Sequence, residues 1–257
     1  MQGSREHVII VEDLWITLDG KQVLQGVDLL VESGEALVIL GRSGTGKSVL
    51  LQCIIGLMTP DSGRIVVDGM EITSFTTERE WKKLWMKVGF LFQGGALFDS
   101  MTLSENVAFP IQKHTGIAEK RALECTEDLL KLVGLGGEGR KMPSELSGGM
   151  QKRASLARTL ALGPSIVLFD EPTSGLDPVT SDSISQLIKD LNRQGGNTSI
   201  VVTHDIRLAF QIADHIAMLE DGKVIMAGTP EEFRRSEMEV VSRFIYGVEQ
   251  SVSGREG

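Results

Sequence analysis

The stretch Glu35–Ser48, "EALVILGRSGTGKS", decides the fold. An apolar run, Ala36–Leu40, carries a buried strand into a core and leads directly into a glycine-rich loop, Gly41–Ser48, of the form G-x-x-x-x-G-K-S. From Lys47 the period changes: Leu50, Leu51, Ile54, Ile55 and Met58 recur at three- and four-residue spacing, which predicts a helix stopped by "TPDSG". Strand, glycine loop and helix in that order form a phosphate cradle. Gly41, Gly44 and Gly46 permit a backbone whose successive N–H groups, those of Arg42, Ser43 and Thr45 among them, turn inward toward an anion, and the helix adds its positive end. Lys47 is placed to bridge the β- and γ-phosphates of a nucleotide, and the Ser48 hydroxyl to ligate Mg²⁺.

A second segment completes that site. "SIVLFDEP", residues 165–172, is another apolar strand, with Asp170 emerging at its end beside the loop to hold Mg²⁺. Glu171 cannot share the side-chain direction of its neighbour, which makes it the natural general base or water polariser for attack on the γ-phosphate. His204 ends a third apolar strand, "SIVVTHD". A histidine at such a place is commonly structural, but the same sheet edge is where a γ-phosphate sensor is needed. Gln93, after "VGFLF", is a polar residue at a strand end with many possible uses.

The rest of the chain is consistent with one α/β domain. Its 257 residues, 41% hydrophobic, suffice for one large domain or one with an inserted lobe. The net charge of −9 argues against general affinity for nucleic acid or anionic lipid. Cys53 and Cys125 form no CxxC pair, so neither a disulfide framework nor a zinc site is expected, and a reducing compartment fits. The longest apolar patches fall short of the about 20 residues that span a bilayer, so a membrane role would come through a partner. "MQGSREHVII" has no secretory character.

Short strands alternate with turns over residues 7–31. Between about Gly94 and Leu162 the sequence turns helical and strand-poor, as expected of an inserted lobe. Strand and helix then alternate again to "KVIMAG", the pattern of a parallel sheet with crossover helices. We expect a single domain over 6–247, with core segments 6–93 and 163–230, a helical lobe at 94–162, and an extension at 231–257 whose polar end is disordered.

One more loop, "LSGGMQKR" at 146–153, lies inside the helical segment. Ser147, Gly148 and Gly149 open a helix from Met150 onward, so free N–H groups and a positive helix end face outward. One nucleotide cannot occupy two loops of one rigid chain, whereas two chains arranged head-to-tail satisfy both loops twice.

The ordered set "GRSGTGKS", Gln93, "LSGGMQKR", "IVLFDEP", "SGLD" and His204 resembles the ATP-binding cassette family of transport ATPases over nearly the whole chain. The resemblance implies a P-loop NTPase (RecA-like) α/β core, an antiparallel β-subdomain and an inserted helical subdomain. It makes Gly41–Ser48 the Walker A loop, Asp170 the Walker B carboxylate, Glu171 the catalytic carboxylate and His204 the switch histidine. Gln93 becomes the glutamine that touches Mg²⁺ and couples to a membrane partner. Ser174–Asp177 becomes the D-loop at a dimer interface, and Ser147–Gly149 the signature that meets the γ-phosphate held by a second copy. Two departures stand out. Val49 replaces a hydroxyl residue, leaving only its N–H for the α-phosphate. Where relatives carry an adenine-stacking aromatic, the candidates are Ile16 and Leu18, with Trp15 out of phase.

Further, "GALFDSMT…ENVAFP", "MPSELSGGM" and "RFIYGV" look like the ATPase subunit of Mla-type lipid transporters, which pair with a permease and an MCE-domain lipid-binding protein. The resemblance implies a phospholipid motor held at the cytoplasmic face of the inner membrane through the permease. The apolar cluster Ala96, Leu97, Phe98 and Met101 either receives a partner helix or packs inside the lobe. A motor for another small solute differs only in that groove. A non-transport cassette acting on nucleic acid or ribosomes is disfavoured by the acidic balance.

Overall fold

The computed structural model describes residues 6–253. In chain order the strands and helices are β1 (His7–Leu18), β2 (Lys21–Glu32), β3 (Ala36–Leu40), α1 (Lys47–Ile54), β4 (Ser62–Val67), β5 (Met70–Glu71), α2 (Glu78–Lys87) and β6 (Val88–Leu91). Four helices follow without a strand between them: α3 (Leu103–Thr115), α4 (Glu119–Glu124), α5 (Thr126–Leu132) and α6 (Gly148–Leu160). The chain then returns to the sheet as β7 (Ile166–Asp170), α7 (Pro178–Gly195), β8 (Thr198–Thr203), α8 (Ile206–Ile212), β9 (His215–Glu220) and β10 (Lys223–Gly228), and closes with α9 (Pro230–Arg234) and α10 (Glu239–Ser253).

Two sheets result. β2-β1-β4-β5 is antiparallel, and β10-β9-β3-β8-β7-β6 is parallel except for β10 at its edge. Strand alternation distributes the apolar side chains between two cores. Leu37, Ile39, Ile166, Leu168, Ile200 and Val202 face α1 and the antiparallel sheet. Val38, Leu40, Val167, Phe169 and Val201 face the other way, into a core shared with α3, α5, α6, α7 and α8. The order is that of a P-loop NTPase α/β core with an antiparallel β-subdomain and a helical insertion.

Several local expectations need adjusting. The helix after the glycine loop ends at Ile54, four residues before Met58, because Ile55 and Gly56 turn out of it, Gly56 at φ 78°. Residues 118–135 form two short helices broken at Cys125, which is exposed, while Cys53 is buried in α1. The signature helix begins at Gly148 rather than Met150, with Ser147 as its cap. Sequence periodicity missed α2 altogether. A Thr77/Glu80 capping box starts that helix, but Leu84 is its one fully buried residue, so its apolar stripe is thin. The end of the tail, expected to be disordered, lies outside the described residues.

Candidate functional site

The glycine loop sits at the C-terminal edge of β3. Gly46 adopts φ 102°, and a Cβ there would come within 2.8 Å of Leu24 and 2.9 Å of the Val23 carbonyl, so only glycine lets the loop close against β2. Lys47 is buried and spends two of its three donors on the loop itself, reaching the carbonyls of Gly41 and Arg42 at 2.8 Å each. The third faces Glu171 Oε1 at 3.8 Å. Burial pulls the Lys47 ammonium below its ordinary pKa, against the opposing pull of Glu171 and Asp170.

Strand parity sets the two carboxylates apart. Asp170 continues the direction of Ile166 and Leu168 toward α1, where it accepts a 2.7 Å hydrogen bond from the Ser48 hydroxyl. Its carboxyl is pushed up by burial, with the Ser48 bond working the other way. Glu171 breaks the strand with φ 47°, a strained conformation for a side chain of its size, and its N–H is held by the Val202 carbonyl at 3.0 Å. That break swings its carboxylate onto the ends of the neighbouring strands. Oε2 accepts from Thr203 Oγ1 at 3.3 Å, and His204 Nδ1 lies 2.9 Å from Oε2. His204 stays half-exposed while Glu171 is buried. Lys47, Ser48, Asp170, Glu171 and His204 are thus brought together at one sheet edge.

Gln93 stands apart. It is exposed beyond β6, and the contact that fixes it runs through its backbone carbonyl, which accepts from the buried Lys152 on α6. Ser147 caps α6, its Oγ accepting from the Met150 N–H at 3.4 Å, and both Ser147 and Gly148 are exposed. Beside them Asp177 caps α7, accepting from the Thr180 N–H and hydroxyl at 3.0 and 2.6 Å. The methyl of Thr180 so held fills the space next to Gly149, where a Cβ would meet it at 2.4 Å. At Gly148 a Cβ would find nothing nearer than 3.9 Å, so packing within this chain does not require that glycine.

The two adenine candidates differ in exposure: Ile16 is 2% exposed, a core residue, whereas Leu18 is half-buried near the turn into β2. Trp15 is engaged locally, its Nε1 donating to Asp13 Oδ1 at 2.7 Å and its ring lying over Gly26. The apolar cluster after Gln93 also divides. Leu97 packs against the core, whereas Phe98 is 41% exposed. Phe98, Leu57, Trp85, Phe92 and Phe109 line a groove of about 480 Å³ with Arg158 in its wall.

Three residues of this neighbourhood escaped sequence reasoning: Lys152, Arg158 and Asn106. Asn106 is fully buried and clamps the loop carrying Phe98, accepting from the Phe98 N–H at 2.8 Å and donating to the Phe98 and Met101 carbonyls at 3.1 and 3.0 Å. All three hold backbone carbonyls, those of Lys152 and Arg158 about sixty residues away in sequence, and no spacing rule announces such partners.

The family model of the ABC transporter matches residues 24–174. The chain belongs to that family. It carries the ATP-hydrolysing cassette of ABC transporters. It is 44% identical over 239 residues, 93% of the chain, to the probable ribonucleotide transport ATP-binding protein mkl of Mycobacterium tuberculosis, and spans 66% of that relative's length. It is 40% identical over 242 residues to the intermembrane phospholipid transport system ATP-binding protein MlaF of Haemophilus influenzae, covering 94% of this chain and 91% of the relative. Among solved structures, a dimeric ATP-binding cassette in a post-hydrolysis state bound to ADP and Pi superposes with TM-score 0.77 at 34% identity, covering 86% of this chain and 98% of that one.

Proposed function

We propose that this ABC cassette is the motor subunit of a membrane transporter that moves phospholipid between the inner and outer membranes of a Gram-negative-type envelope, hydrolysing ATP with Mg²⁺. The observation that carries the catalytic part is the arrangement of Glu171: strained, buried, tied to His204 and Thr203, and facing Lys47 across 3.8 Å. A carboxylate so oriented can take a proton from water attacking the γ-phosphate, while His204, from the solvent side, senses that phosphate. Lys47, already bonded to the loop carbonyls, is the cation for the β- and γ-phosphates. The N–H groups of residues 41–49 receive the phosphate chain.

The Ser48 hydroxyl and Asp170 carboxylate, 2.7 Å apart, are hard oxygen donors of the kind Mg²⁺ takes, and the Gln93 side chain would add a third. The ion would supply charge neutralisation of the phosphates when bound.

The exposed Ser147 and Gly148 at the start of α6, with a Gly148 that its own chain does not need, support a head-to-tail dimer in which each signature meets the nucleotide of a second copy. Asp177 lies at the same surface. The groove lined by Phe98 supports a permease segment as its occupant, and no described helix is long and apolar enough to cross a membrane itself. The chain would then be held at the cytoplasmic face of the inner membrane through the permease. The relative named for intermembrane phospholipid transport, covered over nearly its full length, supports the lipid cargo, and an MCE-domain protein in the complex rests on the resemblance of "GALFDSMT…ENVAFP" and "MPSELSGGM" to Mla-type ATPases. The mycobacterial relative, named for ribonucleotide transport, supports a second reading, a motor for another solute. Purification of the complex from native membranes in mild detergent decides between them. Co-purifying phospholipid with an MCE-domain protein is expected; a solute-binding protein in its place would overturn the lipid reading.

A further inference from the structure

Residues 93–96 leave the sheet after β6 through a turn closed by a bond from the Gly95 N–H to the Phe92 carbonyl at 2.9 Å. The carbonyls of Gln93, Gly95 and Ala96 are taken by a single helix. Lys152 on α6 donates to the Gln93 carbonyl, and Arg158, further along the same helix, donates to Gly95 and Ala96 at 2.8 and 2.7 Å. Between them Ser155 closes the space beside Gly95, where φ is +74° and a Cβ would meet Ser155 Oγ at 2.6 Å. Lys152, Ser155 and Arg158, spaced by three, lie along one face of α6, and that face grips the loop.

Lys152 is the member of this set with most to lose from burial. It is 8% exposed, on a flexible stem whose ordering costs entropy and with a charge whose desolvation costs more. A methionine would fill a similar volume without the desolvation cost, so the cation is there for what it holds. It holds Gln93 by the backbone and lies within electrostatic reach of Asp170 and Glu171. Five residues before it, the exposed Ser147 caps the start of the same helix.

We propose that Lys152 is a positioning residue for ATP hydrolysis: it fastens the backbone of Gln93 to the signature helix, so that movement of the signature loop on nucleotide engagement reaches Gln93 as one rigid displacement. This rests on the reading of Gln93 as a residue that faces the nucleotide and its metal.

The test compares Lys152→Met, Lys152→Arg, Gln93→Ala and the Lys152→Met/Gln93→Ala pair in the full chain, by steady-state ATPase rate and by equilibrium binding of a fluorescent ATP analogue. Lys152→Met is expected to lower kcat on the order of tenfold or more while the analogue's Kd stays within about twofold, the pattern of misplacement rather than lost binding. Lys152→Arg, which keeps a donor and a charge, should recover most of the rate. The double variant should be no slower than the slower single variant, because both break one linkage. An unchanged kcat in Lys152→Met, or losses that multiply in the pair, overturns the proposal. Hydrogen exchange of nucleotide-free Lys152→Met guards against a folding defect. Faster exchange confined to residues 93–101 supports the linkage, and faster exchange throughout 103–160 assigns Lys152 a merely structural part and overturns it. A normal rate in Gln93→Ala removes the underlying reading of Gln93. An impaired Gln93→Ala beside a normal Lys152→Met removes only the inference about Lys152.

Discussion

Glu171 is where one residue's backbone determines chemistry. Its φ of 47° is unfavourable for a non-glycine residue, and it persists because the N–H bond to Val202 and the side-chain ties to Thr203 and His204 over-determine it. Glu171→Gln keeps the shape and removes the proposed base. Steady-state ATP turnover is expected to fall on the order of a hundredfold or more with nucleotide binding retained, and size-exclusion chromatography with ATP should show an enriched dimer. An undiminished rate would remove Glu171 from the role of base. Lys47→Ala should behave differently, abolishing binding of a labelled ATP analogue, because it deletes both the phosphate partner and the two 2.8 Å bonds that shape the loop. These residues were legible in the sequence because each sits in a motif whose order along the chain is fixed. Lys152, Arg158 and Asn106 were not, since each binds a backbone carbonyl, and a carbonyl carries no residue identity to read. The burial of Ile16 went unread for a related reason: Trp15 and Ile16 belong to a strand whose register shifts around Asp13, φ 44°, and periodicity cannot foresee a bulge.

At the scale of elements, helix starts repeat one device. Thr77/Glu80, Thr102/Glu105 and Thr229/Glu232 are reciprocal capping boxes at α2, α3 and α9. Thr102→Ala should cost about 1 kcal/mol, read as a lowered denaturation midpoint. The boxes also carry a pH signature. Hydrogen bonds from Thr77, Thr102 and Thr229 hold the carboxyls of Glu80, Glu105 and Glu232 below the usual glutamate range. Their folded-state pKa values are depressed. The stability they contribute is therefore fully present above the unfolded glutamate value of about 4.3 and is lost as pH falls through the lower folded values. The difference in thermal midpoint between wild type and Thr102→Ala should shrink as pH is taken from neutral into that acid range. Such boxes are visible in sequence, yet they did not reveal α2, because a cap marks a helix only when an apolar stripe follows it. The loop after Gln93 separates two neighbours in the same way. Leu97→Ala should destabilise the fold by about 2 kcal/mol through lost core packing. Phe98→Ala, at an exposed ring, should leave stability and nucleotide binding near wild type and reduce co-purification of the permease. Full complex recovery with Phe98→Ala would move the docking site elsewhere.

Across the whole molecule, the antiparallel sheet and the helical segment between β6 and β7 share the parallel sheet as a common wall, and its strands contribute alternate residues to the cores on either side. The broad plan, a parallel α/β sheet with a helical stretch inside it, follows from sequence because strand and helix periods differ. Which core a strand residue enters does not, because alternation gives two faces without saying which neighbours meet them. That division reaches the chemistry through β7, whose pairing with β8 sets Leu168 against Ile200 and Asp170 against Val202. A slip of one residue would exchange the linings of both cores while keeping them apolar, so a compact impostor is conceivable on hydrophobic grounds. The same slip would turn Asp170 away from Ser48 and carry Glu171 off the ends of its neighbours. A misregistered chain would therefore be silent however well it packed, and ATP turnover serves as a reporter of strand register that no measure of compactness can replace.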